Sequence, residues 1–369
     1  MTLKRRSWAA PALFPATLIA VTVLHSAPAL AEPYFAVQTG FKCGMCHVNP
    51  AGGGMRTTFG DVWSQTALPA SPLDTGGDVW TGELNRFFAV GGNLRASATV
   101  TSTSHQSTLT AFDVDEMRLY FEVRALPDRL SLYVDEHIAP GGSINSEAYG
   151  RLWFDNRRFY VQAGQMYLPY GIRLQDDTAF TRQVTGINFA TPDRGVQLGM
   201  ETTFWTVQLA ATNGTAGAGA RADGKQYSVR AEHVRNRWRA GASFSTNDST
   251  GERRQMQGVF AGLRTGPIAW LAEADYILDD NFAPRRKQTM GLLEADWNFR
   301  KGHNLKITGE HFDPDTSVSH DYQDRFSIVW EYTPFQFLQL RFGARNYDGI
   351  PQSDTQNRRL VFGQINGYF

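Results

Sequence analysis

The chain has 369 residues, with 36 Lys and Arg balanced by 36 Asp and Glu, 12% aromatic residues and 2 cysteines. The balance of charge implies no nucleic-acid-binding surface, and a low-cysteine, aromatic-rich composition excludes both a disulfide scaffold and a disordered chain.

Residues 1–31 read as a secretory signal peptide. Lys4, Arg5 and Arg6 make the positive n-region, an apolar stretch follows over 12–24, and Ala29-Leu30-Ala31 supplies a small-x-small cleavage site. An uncleaved anchor would need ~20 apolar residues to cross a bilayer, more than this stretch offers. Cleavage leaves an exported chain that begins at Glu32, with 33 basic against 36 acidic side chains, because three of the 36 basic residues and no acid are removed.

Both cysteines fall in Cys43-Gly44-Met45-Cys46-His47. Covalent haem attachment needs two thiols spaced for the two porphyrin vinyl groups and a histidine directly after the second to reach the iron, and this pentapeptide meets all three demands after an export signal. A disulfide is the default for a Cys pair in an oxidising compartment. A thioredoxin-like dithiol expects a βαβ context, and a zinc site expects a second Cys/His pair; neither follows. The expected cofactor is one covalent haem c, held by Cys43 and Cys46 with His47 on the iron. Met55, in the flexible run that begins Asn49-Pro50-Ala51-Gly52-Gly53-Gly54, is the candidate distal ligand. Its alternative role is apolar packing.

The monohaem segment spans 32–60, and a connector with Pro, Gly, Ser and Thr, a few aromatics such as Trp63 and Trp80, and no strong periodicity follows over 61–90. From 91 to 369 segments of about ten residues alternate apolar and polar side chains, the period of a strand with two different faces. Met117, Leu119, Phe121 and Val123 alternate with Arg118, Tyr120, Glu122 and Arg124; Leu338, Leu340 and Phe342 alternate with Gln339 and Arg341. A soluble sandwich would show the same alternation. Connection lengths separate the two: about sixteen strands are joined alternately by tight turns, near Asp128, Asn156, Trp205, Asn236, Gly266, Lys301 and Pro334, and by longer loops, the widest over 168–193. The expected fold is therefore an all-β, transmembrane antiparallel barrel with both termini periplasmic. Trp238, Trp270, Trp297, Trp330 and Tyr332 fit interfacial girdles, and the chain ends on Tyr368-Phe369, like the assembly signal of outer-membrane barrels. A lumen of this width meets water or a plug. Its expected lining carries both signs, Arg118, Arg124, Arg230, Arg239, Arg341 and Arg345 against Glu122, Asp135, Glu232, Glu273, Asp275, Glu294, Asp296 and Glu331, and reads mainly as a solvated pore wall. About sixty residues is small for a haem domain to enclose its own cofactor, so the haem segment is expected to plug the periplasmic half of the lumen.

Phe35-Ala36-Val37-Gln38-Thr39-Gly40, then Cys43-x-x-Cys46-His47, then Phe59-Gly60, followed by a barrel, resembles the fused monohaem cytochrome-porins of bacterial outer membranes, the group that includes the outer-membrane iron(II) oxidase. The specific likeness covers residues 34–60. It implies thioether sites at Cys43 and Cys46, a proximal ligand at His47, and electron movement between extracellular iron and a periplasmic electron carrier. Val37 stands where that group usually has arginine, and Gly52-Gly53-Gly54-Met55-Arg56 replaces a Phe-Pro-containing spacer, which points to a sibling branch. The leading functional reading is a redox conduit in the outer-membrane lipid, an iron(II):cytochrome c oxidoreductase on the family likeness. The second is a diffusion porin whose haem segment plugs or gates the pore, with loop 168–193 constricting it. A third is a haem sensor or assembly partner for a larger complex. Asp176, Asp177, Asp279, Asp280, Asp313 and Asp315 are candidates to attract a metal cation, though most read as solvated loop acids. His105, His137, His233, His303, His311 and His320 are scattered singly, and no hydrolase or transferase constellation is visible.

Overall fold

The computed structural model describes residues 32–103, 106–187, 191–214, 224–248 and 253–369. The expected signal peptide and His105 lie outside the described residues.

Alternating faces and frequent turns produce one antiparallel sheet closed on itself. A three-residue strand β1 (Glu83–Asn85) leads into β2 (Phe88–Thr103), β3 (Leu109–Leu126), β4 (Leu130–Ala139), β5 (Ile144–Phe154), β6 (Phe159–Met166), β7 (Asp193–Glu201), β8 (Trp205–Thr212) and β9 (Gln226–Val234). The second half is β10 (Trp238–Asn247), β11 (Arg254–Thr265), β12 (Ile268–Asp279), β13 (Arg286–Arg300), β14 (His303–Asp313), β15 (Gln323–Tyr332), β16 (Leu338–Asp348) and β17 (Arg358–Tyr368). Each strand from β2 onward pairs with its chain neighbour, and β17 closes on β2 from Arg358↔Thr103 to Tyr368↔Asn93, giving a sixteen-stranded barrel. Closure removes the unpaired edges that would otherwise invite another chain. About ten residues per strand at ~3.3 Å each, tilted, suffice for the ~25 Å apolar band of such barrels.

The alternation holds in three dimensions. Met117 and Phe121 face outward and are exposed, while Arg118, Tyr120 and Glu122 between and beside them are buried. Trp205, Trp238, Trp270, Trp297 and Trp330 are exposed on the outer surface, all toward the rim that carries the short turns. Phe369 is tied into that rim by two backbone hydrogen bonds with Gly92, both 3.0 Å, and its ring meets Trp80 edge-on at 6.3 Å.

The lumen is not a solvated wall, and here the sequence-based expectation is corrected. Arg118 binds Asp135 at 2.9 Å, Arg239 and Arg230 bind Glu232 at 2.7 and 3.2 Å, and Arg341 binds Glu331 at 3.2 Å, all with side chains at most 5% exposed. Two segments cover them. The loop that begins at Tyr167 turns inward through a short helix at Phe180–Thr185. In this loop Leu168, Tyr170, Leu174 and Phe180 are buried, the first two against Met256, Ile277 and Met290, and Leu174 against Leu292. Its backbone is pinned by Phe180 N–H to Glu310 and Ile172 N–H to Glu273, each 2.9 Å, and Asp176 accepts Arg325 and Arg345 at 3.0 and 2.9 Å. Asp176, partly exposed, and buried Asp279, paired with Arg254 at 3.1 Å, are thus engaged by arginines of the wall.

The second segment precedes the barrel and holds α1 (Pro33–Thr39), α2 (Cys43–Cys46) and α3 (Thr58–Thr66). Proline at the start of α1 and left-handed Gly40 at its end bound the first helix. Thr57 caps α3, accepting Gly60 N–H at 3.2 Å. That helix lies across the boundary drawn at residue 60 and within the connector expected to be irregular; nine residues are too few for a periodic signal. Tyr34 donates to Glu331 at 2.8 Å and Lys306 holds Glu32 at 2.6 Å, so α1 rests on inward-facing residues of β14 and β15.

Candidate functional site

The triplet of Cys43, Cys46 and His47 is formed locally. Cys43 and Cys46 sit one helical turn apart on α2, and His47 N–H closes that turn on the Cys43 carbonyl at 2.9 Å. From His47 the chain enters a small hairpin: His47 bridges Arg56, Val48 N–H donates to the Met55 carbonyl at 3.0 Å, and Thr57 N–H to the Cys46 carbonyl at 3.0 Å. Its turn needs Gly52, Gly53 and Gly54 at φ 94°, 75° and 66°, a run that residues with a Cβ strongly disfavour. The glycine-rich stretch is therefore a turn that folds the chain back beside the histidine. Gly60 on α3 presses on α2 so closely that a Cβ there would lie 2.2 Å from the Cys46 carbonyl oxygen.

The barrel and the inward loop fix this hairpin. Arg151 on β5 donates to the Val48 carbonyl at 2.6 Å, Asn49 donates to Glu147 at 3.2 Å, and Arg173 in the loop donates to the Gly52 carbonyl at 2.6 Å. On the far side of α2, Lys42 donates to the Thr202 carbonyl at 2.8 Å and pairs with Glu201.

These parts surround a cavity of ≈ 120 Å³. Cys43, Cys46 and His47 line it together with Phe35, Phe41 and Trp63 from the helical segment, Ile172 and Arg173 from the loop, Arg230, Glu232 and Arg239 from the wall, and Arg56 and Tyr368 at the rim. Burial, with Arg56 and Arg173 beside it, pushes the His47 imidazole from 6.5 down to about 3, so the ring stays neutral and keeps a lone pair for a metal. Its Nδ1 is buried and makes no hydrogen bond of good geometry, although the backbone of Gly53 and Gly54 lies close enough to oppose that shift. Burial and the neighbouring Cys43 push the Cys46 thiol from 9.0 up to about 11, the opposite of the acidic, reactive thiol of a redox dithiol. A neutral imidazole, two adjacent thiols and aromatic walls fit the chemistry of a covalently attached haem.

Met55 does not join them. It is 3% exposed, packs with Ala89, Tyr120, Tyr133, Tyr149 and Met166, and its N–H donates to the Tyr133 hydroxyl at 3.0 Å. It does not line the cavity. His137 is buried in the wall, His233 and His303 stack on rim aromatics, and His311 pairs with Asp324 at 2.7 Å. Among the described residues no cluster of three His, Cys, Asp or Glu side chains converges on a metal position. Arg173 was not singled out from the sequence, and Arg56, Phe35 and Trp63 were named without a place at the site. Arg56 has only its nearness to the motif as a signal, and Arg173 has none.

No family model and no curated protein matches the chain in sequence. Solved structures match in fold. The anion-selective porin from Comamonas acidovorans superposes with a TM-score of 0.61 at 8% identity, over 76% of this chain and 99% of that one. OmpT of Vibrio cholerae gives 0.59 at 10% identity over 78% and 99%, and the outer membrane channel DcaP of Acinetobacter baumannii 0.58 at 11% over 76% and 97%. The fold is that of a sixteen-stranded porin barrel.

Proposed function

We propose that the chain is an outer-membrane cytochrome-porin that carries electrons through one covalently bound haem c, from extracellular Fe(II) to a periplasmic carrier. The observation that carries the reading is the position of Cys43, Cys46 and His47, which line a cavity inside a porin-like barrel whose lumen their own segment and the inward loop fill. Haem in that position supplies a one-electron store within the thickness of the membrane. The chain's own residues do the rest. Cys43 and Cys46 anchor the porphyrin, neutral His47 offers the proximal nitrogen, Phe35, Phe41 and Trp63 exclude water, and Arg56, Arg173, Arg230 and Arg239 set a positive field that offsets the carboxylates of haem. The long-loop rim faces the cell exterior on this reading, and the short-turn rim with the haem segment faces the periplasm.

Likeness to porins favours a second reading, a diffusion channel gated by the same segment. One gel and one conductance measurement separate them. Heat-modifiable migration of a haem-stained outer-membrane band, with the stain lost and the migration kept in Cys43→Ala/Cys46→Ala, is expected for the conduit, together with rapid reduction by added Fe(II). Large, steady single-channel openings from the unaltered protein would support the porin and count against the conduit.

A further inference from the structure

The two rims of the barrel carry opposite charge. Among the described residues the seven short turns hold six basic residues against two acids, whereas the eight long loops hold seven acids against five basic residues. On the short-turn rim both acids are already paired, Asp128 with Arg157 at 3.4 Å and Asp155 with Arg158 at 3.3 Å. Arg129, Arg235, Arg237 and Lys301 are exposed, and among the described residues no carboxylate lies within ion-pair reach of them. Asp74 and Asp78, exposed on the connector that packs against the 333–337 turn, offset part of this charge, and the four cations leave the rim positive and accessible.

The helical segment at this rim carries an apolar patch. Met45, between the two cysteines, is 43% exposed, and Phe59 at the start of α3 is 42% exposed. The Thr57 hydroxyl donates to the Met45 carbonyl at 2.6 Å, and Phe41 meets Phe59 edge-on at 5.4 Å, so the patch is one surface held over the attachment helix. Cations stand near it at two turns four strands apart in the barrel. Gly40 packs on the backbone of Asn236, between Arg235 and Arg237, and Lys301 donates to the Thr66 carbonyl at the end of α3 at 3.2 Å.

We propose that this rim is the docking surface for a soluble electron carrier with an acidic face around an apolar centre. The proposal rests on the reading above that the short-turn rim faces the periplasm. Opposed charge steers such a partner and sets its orientation, while a small apolar contact allows it to leave again, as a transient redox encounter requires. Anionic lipid is the competing occupant of rim arginines. It reaches the outward positions beside Trp238, but Met45 and Phe59 stand inside the ring of turns, where no bilayer lipid lies.

The test uses the full chain in nanodiscs of zwitterionic lipid, with binding read by surface plasmon resonance, which needs no haem in the barrel. The probes are an acidic and a basic monohaem cytochrome c of similar size. The acidic probe is expected to bind preferentially, with an association rate that falls about tenfold between about 20 and about 200 mM salt. Arg235→Glu/Arg237→Glu/Lys301→Glu is expected to weaken it at least about tenfold and to favour the basic probe, and Met45→Asp to quicken dissociation while leaving the salt dependence intact. Equal binding of both probes, absent salt dependence, or unchanged affinity after charge reversal overturns the proposal. So does loss of co-purified anionic phospholipid from the reversed variant with probe binding intact. Salt dependence of the unaltered protein decides the matter even if that variant fails to assemble. Haem staining of the same samples reports separately on the cytochrome reading: charge-dependent binding without haem sinks that reading alone, and haem without charge-dependent binding sinks this proposal alone.

Discussion

Arg173, in the loop that enters the lumen from one rim, donates from Nη1 to the carbonyl of Gly52, in the hairpin that enters from the other, at 2.6 Å. This bond joins two segments separated by 121 residues across the inside of a barrel, and it closes the cavity that the cysteines and His47 line. Neither segment buries that cavity without the other.

Arg173→Ala is expected to loosen both segments. A charge-assisted hydrogen bond in a buried place is worth about 1.5–3 kcal/mol, and its loss leaves the Gly52 carbonyl without that partner. The expected outcome is flickering single-channel openings in planar bilayers where the unaltered protein is quiet, with heat-modifiable migration unchanged. A quiet variant would show that the loop closes the lumen without this bond.

Met55→Ala is expected to leave the haem absorption bands and midpoint potential unchanged. Its side chain fills a gap among Tyr120, Tyr133, Tyr149 and Met166, and truncating a buried methionine costs about 2–5 kcal/mol. The expected effect is therefore a lower melting temperature and faster proteolysis within the 47–57 hairpin. A shifted potential with unchanged stability would restore Met55 as an iron ligand.

Gly60→Ala is expected to separate α3 from α2. The added carbon would sit 2.2 Å from the Cys46 carbonyl, which only backbone movement relieves. Haem incorporation, read as stain per unit of assembled barrel, is expected to fall severalfold, while the barrel itself still shows heat-modifiable migration.

Asp61 supplies a pH dependence. It is 4% exposed on α3, and burial, partly offset by Arg56, pushes its carboxyl from 3.8 up to about 6. The docked form thus binds more protons than the undocked form between those two values, so docking of α3 weakens as pH rises through that window and is strongest below it. Limited proteolysis of residues 58–81 is expected to be faster at pH 7.5 than at pH 4.5 by more than the protease's own pH response. In Asp61→Asn that excess is expected to vanish.

Much of the barrel was legible because a strand with two environments prints its period directly into the residue order. Met117 to Arg124 shows which side chains face out, and the short joints at Asp128, Asn236 and Lys301 show which rim is which. The Cys43-to-His47 pattern was legible for a similar reason, since it is contained in five consecutive residues. What the lining does was not. Arg118, Arg239 and Arg341 alternate inward whether they meet water or carboxylates, and only their partners, often on neighbouring strands, decide between a wet wall and a packed one. The same holds for Met55: eight residues beyond His47 looks like reach for the iron, yet a glycine turn reverses the chain and aims the thioether at the tyrosines of β3, β4 and β5.

By itself the sequence determined a closed β-barrel of about sixteen strands, the orientation of its faces, and a cysteine–histidine triplet ahead of it, because each is written in local spacing. Only the tertiary structure decided that the lumen is filled, that a loop arginine and a glycine hairpin close one cavity around that triplet, and that Met55 lies outside it. Those facts depend on contacts between residues about a hundred positions apart, set by which polar groups find partners once the barrel closes, and no local pattern records that outcome.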